Sequence, residues 1–131
     1  MEPSAMIVAG LGFRESATEE DLAAALALLG EMPEVLATLD ARAALPALTA
    51  LARRLGLPVV GLPEAALAGI ATPTRSARIE QRFGTGSVAE AAALVAAGPG
   101  ALLTRPRQIA GPVTIAVARA AAESDSKRAT A

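Results

Sequence analysis

Three stretches of the chain group residues suited to holding an anionic ligand: Gly10-Leu11-Gly12-Phe13-Arg14-Glu15, Thr74-Arg75-Ser76-Ala77-Arg78 and Gly84-Thr85-Gly86-Ser87. In the first, Gly10 and Gly12 have the spacing of half a dinucleotide-binding fingerprint, G-x-G-x-x-G. Glu15 stands where the third glycine belongs, and a carboxylate there would repel a pyrophosphate. The two glycines therefore read as a tight strand-to-helix turn. Arg14 has no part in such a turn, and it falls at the carboxyl end of a strand, where open α/β sheets bind ligands. The second stretch alternates hydroxyls with guanidiniums, a pattern that clamps an anion through charge-assisted hydrogen bonds. The third opens a helix, with Ser87 as N-cap and Glu90 completing a Ser-x-x-Glu capping box. Capping leaves Gly84 and Gly86 unexplained. Glycines allow close backbone approach to a ligand, and free N–H groups at a helix start favour an anion. With no Lys after the glycines and no strand before them, this is not a phosphate-binding P-loop.

The rest of the composition narrows the chemistry. The 131 residues contain no Cys and no His, which removes thiol nucleophiles, imidazole bases, disulfides and zinc sites. No metal and no cofactor is expected. Glu15 and Glu90 remain as candidate acids or bases, although nothing in the sequence pairs them. Thr38, Ser76, Thr85 and Ser87 have no imidazole to activate them and count as ligand contacts. Lys127 is the sole lysine, so almost all positive charge is guanidinium, whose bidentate fork fits carboxylate or phosphate. A net charge of −1 and 2% aromatic residues argue against nucleic-acid binding. Hydrophobic residues reach 53%, mostly Ala, Leu and Val, and Gly98-Pro99-Gly100 and Gly111-Pro112 interrupt them. No run attains the roughly 18–20 apolar residues of a membrane span, and no signal peptide is visible. The expectation is a cytoplasmic protein that does not engage a membrane.

The elements that must position these groups follow from periodicity. Residues 5–10 read as a buried strand, 11–18 as a loop, and a helix follows to about Gly30, with Ser16 and Glu19 in capping-box spacing. Residues 35–39 read as a strand, 46–55 as a helix ended by Gly56, 58–62 as a strand and 63–69 as a short helix. Residues 70–86 show no period and read as a long connection, of the kind that carries function in compact domains. A helix then runs to Gly98, and two strands, 101–105 and 112–120, pair antiparallel across Gly111-Pro112. This order predicts a single three-layer α/β/α domain with a mixed, mainly parallel five-stranded sheet over 1–121, and a flexible polar tail over 122–131.

Taken in order, GLGFRESAT, VLATLDARAALPALTALARRLGLPVVGL, TPTRSAR, GTGSVAEAAAL and VTIAVARA resemble the CobE / CbiG C-terminal domain family of cobalamin biosynthesis. The resemblance spans about residues 5–120. It implies an α/β/α domain with a mixed sheet and a role at the stage of methylated precorrin intermediates. Corrin precursors are ringed by acetate and propionate arms, which complement Arg14, Arg75, Arg78 and the Gly84–Ser87 turn. Thr74 joins these candidate contacts. Phe13 stands where the CbiG pattern often has a Cys, which argues against covalent chemistry there. It would lie against the macrocycle or, alternatively, in the core. Three roles stay open: binding a precorrin or corrinoid intermediate, opening a precorrin lactone as CbiG proteins do with Glu15 or Glu90 as base, or a non-catalytic module contacting precorrin methyltransferases.

Overall fold

The computed structural model describes residues 6–121, so the expected polar tail lies outside the described residues. The chain runs β1 (Ile7–Phe13), α1 (Glu19–Ala27), β2 (Val35–Leu39), α2 (Asp40–Ala43), α3 (Pro46–Leu55) and β3 (Val59–Leu62). It continues with α4 (Glu64–Leu67), α5 (Ala77–Phe83), α6 (Val88–Ala97), β4 (Leu102–Ala110) and β5 (Val113–Arg119). The five strands form one mixed sheet in the order β3-β2-β1-β5-β4. β1 pairs parallel with β2, and β2 with β3, whereas β5 is antiparallel to both β1 and β4. The pairings are thus evenly divided, where the sequence predicts a mainly parallel sheet. The last two strands do pair antiparallel, as their short Gly-Pro connection requires.

The period-2 alternation of β1 distributes its side chains between two packing partners. Ala9, Leu11 and Phe13 join Leu22, Leu26, Leu48 and Leu51 of α1 and α3 in one apolar cluster. Val8 joins Ala92 and Ala93 of α6 in a second cluster. Gly10 explains why α6 is built from alanine. A Cβ at Gly10 would collide with the Ala89 carbonyl and would stand 2.6 Å from the Ala93 nitrogen. Helix and strand backbones therefore touch directly, which only small residues on both sides permit.

Several boundaries differ from expectation for identifiable reasons. β1 continues through Gly12 to Phe13, because β5 pairs with its whole length from Ile7↔Arg119 to Phe13↔Val113. Gly10 and Gly12 accordingly belong to a strand and not to a turn. Helix α1 starts two residues later than Ser16 predicts. Thr18 is the N-cap, with Thr18 Oγ1 accepting from Asp21 N at 3.1 Å and Asp21 accepting from Thr18 N at 2.9 Å. Ala17 is drawn inside, 5% exposed, which leaves the overlapping Thr-x-x-Asp motif to close the box. Within the connection 70–86, α5 forms behind Ser76, whose Oγ accepts from Ile79 N at 3.3 Å. Among the described residues no helix is long and apolar enough to cross a membrane.

Candidate functional site

A cavity of about 390 Å³ opens at the carboxyl ends of β1 and β2. There the sheet order turns: β2 lies on one side of β1, and β5, reached through α6 and then β4, lies on the other. Open α/β sheets bind ligands at such a switch point. β1 contributes Gly12 and Phe13 with Arg14 just beyond, β2 contributes Thr38 and Leu39, and α2 contributes Arg42. From the other side come Ser76, Arg78, Ile79 and Phe83 of α5 and its cap, Ser87 and Val88 at the start of α6, and Arg107 of β4.

The charged lining is entirely guanidinium: Arg14, Arg42, Arg78 and Arg107, with no acidic side chain among the lining residues. Arg14 and Arg78 are exposed, and Arg42 and Arg107 are half-buried. Arg42 is held in place, its Nε donating to the Phe13 carbonyl at 2.8 Å and its Nη1 lying 3.8 Å from Glu15. Among the described residues, Arg14, Arg78 and Arg107 have no carboxylate partner. Their donors are available to an anion, and guanidinium–carboxylate pairs are short, bidentate and strong. The floor is apolar, built from Phe13, Ile79, Phe83 and Val88. Arg82 orders Phe83: its guanidinium lies 4.5 Å from the ring centre and bonds both oxygens of Glu64 at 3.1 and 3.3 Å.

The hydroxyls at the cavity are tied into the frame. Thr38 donates to the Leu11 carbonyl at 2.8 Å, and Thr114 to the Gly12 carbonyl at 3.2 Å. Ser76 and Ser87 accept from the helix N–H groups they cap, which leaves each an O–H to donate.

Of the residues singled out in the sequence, Gly12, Phe13, Arg14, Thr38, Ser76, Arg78 and Ser87 line this cavity. The others lie elsewhere. Gly10 is beneath α6. Arg75 turns back to Glu80 at 3.0 Å and, with Gly84, Thr85 and Gly86, lines a separate depression of about 320 Å³. Gly84 ends α5 with φ 78°, a left-handed conformation that glycine adopts without strain. Gly86 lies against the 72–75 segment, where a Cβ would collide with the Thr74 carbonyl. Thr85 is buried, donating to the Ile70 carbonyl at 2.7 Å. Phe13 has both environments offered to it, being 9% exposed within the core cluster and also at the cavity floor.

Glu15 projects into solvent beside Arg42, its side chain 74% exposed. Glu90 is fully buried and outside the cavity lining. Its backbone N–H is capped by Ser87 Oγ at 3.2 Å, so half of the expected capping box forms. The other half does not, because the carboxylate bonds to Thr74 and Arg107 instead. Of the polar lining residues, Arg42, Arg107 and Thr114 were missed from sequence, as were the apolar Leu39, Ile79, Phe83, Val88 and Pro112. Only Arg107 carried a signal, standing after Pro106 in a strand whose proline marks an edge or an irregularity.

Comparison with solved structures gives close matches over nearly the whole chain. CobE, a protein from the cobalamin (vitamin B12) biosynthetic pathway, is 31% identical with a TM-score of 0.76, covering 94% of this chain and 96% of its own. The cobalamin biosynthesis protein chiG from Agrobacterium tumefaciens is also 31% identical, with a TM-score of 0.67 over 88% of this chain and 99% of that one. A cobalamin biosynthesis protein G homolog from Sulfolobus solfataricus shares the fold at 18% identity and a TM-score of 0.66, over 89% of this chain and 37% of its own. No match was found among curated protein sequences. The family model for the cobalamin synthesis G C-terminus matches residues 7–118. The chain belongs to the cobalamin synthesis G C-terminal family and is a cobalamin biosynthesis pathway protein.

Proposed function

We propose that the protein binds a precorrin or corrinoid intermediate at the four-arginine cavity, holding carboxylate arms with Arg14, Arg42, Arg78 and Arg107. The observation that carries this reading is a lining whose only charges are guanidiniums, set around an apolar floor. A corrin edge has the same layout, with an apolar macrocycle inside and acetate and propionate groups outside. Each well-formed charge-assisted hydrogen bond contributes about 1.5–3 kcal/mol, so a few engaged arginines suffice for micromolar affinity.

Binding without turnover is favoured over lactone opening. A general base must come within hydrogen-bond reach of the proton it removes. Both oxygens of Glu90 already accept hydrogen bonds away from the cavity, and Glu15 stands in solvent beside Arg42. Holding the intermediate and passing it to a precorrin methyltransferase, within the cytoplasm, is the role that fits this chemistry.

Titration of the purified protein with a hydrogenobyrinic-type corrinoid, followed by visible absorption, tests the proposal. Saturation is expected at micromolar concentration, with affinity falling as salt rises. Arg14→Ala and Arg107→Ala should each weaken binding about tenfold or more. The same corrinoid with its carboxylates esterified should not bind. Absence of any spectral change or co-elution would count against the proposal, as would tight binding of the ester.

A further inference from the structure

We infer that Glu90 is a positioning residue for this cavity, one carboxylate that fixes the segment leading to Arg78 against the strand that carries Arg107; the inference rests on the binding role proposed above. Glu90 is fully buried, beside Ala89 and Ala91 in the first turns of α6. A carboxylate in such surroundings is costly unless every lone pair finds a donor. It finds no basic side chain among the described residues. Instead Oε1 accepts from Thr74 N at 2.9 Å, while Oε2 accepts from Thr74 Oγ1 at 2.8 Å and from Arg107 N at 2.7 Å.

Those partners belong to two separate segments on the same side of the cavity, one leading to Arg78 and one carrying Arg107. Thr74 stands two residues before Ser76, the cap of α5, and four before Arg78. Ser76 N also donates to the Gly86 carbonyl at 3.0 Å, so the segment is docked on the start of α6 from two directions. Arg107 lies in β4, where the ladder with β5 is irregular. From Arg105↔Val117 to Gln108↔Ile115 the chain takes three steps along β4 against two along β5. That extra residue is a bulge, which withdraws an N–H from the ladder and re-aims a side chain. The freed N–H of Arg107 is the one that reaches Glu90. The irregular strand and the buried acid thus explain each other, and together they fix the backbone of Arg107 beside the segment that leads to Arg78.

The test combines Glu90→Gln with Arg107→Ala. The amide of Gln sets an NH2 group against a backbone N–H in either orientation, so one of the two segments is released while the volume stays the same. With the fold intact by circular dichroism, corrinoid affinity should fall about tenfold. Arg107→Ala should then cost clearly less in the Glu90→Gln background than in the parent, because coupled residues are not additive. A folded Glu90→Gln protein with parental affinity, or additive losses, would overturn the inference. Should Glu90→Gln not fold, Thr74→Val removes one of the three donors and is expected to weaken binding severalfold; unchanged affinity would overturn the inference equally. Amide hydrogen exchange separates this question from the binding proposal, since it needs no ligand. The Thr74 and Arg107 N–H groups should be protected in the parent and exchange faster in Glu90→Gln, and equal rates would again overturn the inference. If the parent binds no corrinoid while these rates differ, the binding proposal is what fails.

Discussion

Gly10→Ala should destabilise the protein through the packing of α6 on β1. The new Cβ would collide with the Ala89 carbonyl, would lie 2.6 Å from the Ala93 nitrogen and 3.0 Å from its Cβ. Two of these three atoms are backbone, so no side-chain rotation relieves the clash. Helix α6 must retreat by about 1 Å, and a gap of that size forfeits a quarter to a half of each dispersion contact it opens. The contacts concerned are those of Ala92 and Ala93 with Val8 and Ala37, all buried. Overpacking of a rigid core costs about 1–3 kcal/mol, and backbone clashes belong at the upper end. One effect opposes it: Gly→Ala removes conformational freedom from the unfolded chain and stabilises by about 0.4–1 kcal/mol where the backbone is compatible. Gly10 has no positive φ, so that gain applies in full. Overpacking wins, with a net loss of about 2 kcal/mol and a melting temperature lowered by roughly 6–10 °C. Urea unfolding should show a lower midpoint at unchanged slope. Well below the melting point, corrinoid affinity should fall only as far as the retreat of α6 displaces Ser87, Val88 and Glu90, because Gly10 itself does not line the cavity. An unchanged or raised melting temperature would refute the packing argument. Lost affinity with intact stability would show that Gly10 meets the ligand instead.

Gly12→Ala should give the reverse pattern. Its Cβ would meet only Thr114 Oγ1 closely, at 2.6 Å, and that hydroxyl can turn away at a cost of about 1 kcal/mol or less, while the methyl intrudes into the cavity. Titration is expected to show weaker binding against a nearly parental melting curve. Thr18→Ala should cost about 1 kcal/mol, some 3–5 °C, whereas Ser16→Ala should leave the melting temperature unmoved, since Thr18 and not Ser16 caps α1.

Much of the sheet was legible because its strands satisfy local rules. VLATL and VVGL are short apolar runs bounded by breakers, and both are strands. What local rules misjudged was pairing. β1 was expected to stop at Gly10, since glycine reads as a breaker, yet β5 carries it on to Phe13. A partner more than a hundred residues away supplied hydrogen bonds that no window around Gly10 contains. The same holds for α5. Its seven residues bury no side chain fully, so no apolar stripe announced it, and its cap at Ser76 was the one local sign.

The site shows where glycine and arginine mislead in different ways. A glycine tells that a side chain is not tolerated, but not which atoms occupy the space. At Gly10 they are those of α6, and at Gly86 those of residues 72–75, so both glycines serve packing within the chain. An arginine tells that a cation is carried, but its long stem lets position be decided by whatever anchors the backbone. Arg75 and Arg78 stand three residues apart in sequence, yet the cap at Ser76 separates them. Arg75 closes on Glu80, and Arg78 enters the cavity. Arg107 arrives from the far end of the chain because a bulge frees its N–H for a buried glutamate. Sequence reasoning named Glu90 for its capping spacing, and its backbone N–H is indeed capped by Ser87. Its carboxylate had a stronger demand to meet: buried without a cationic partner among the described residues, it collects three donors, and these join the segment leading to Arg78 to the strand that carries Arg107.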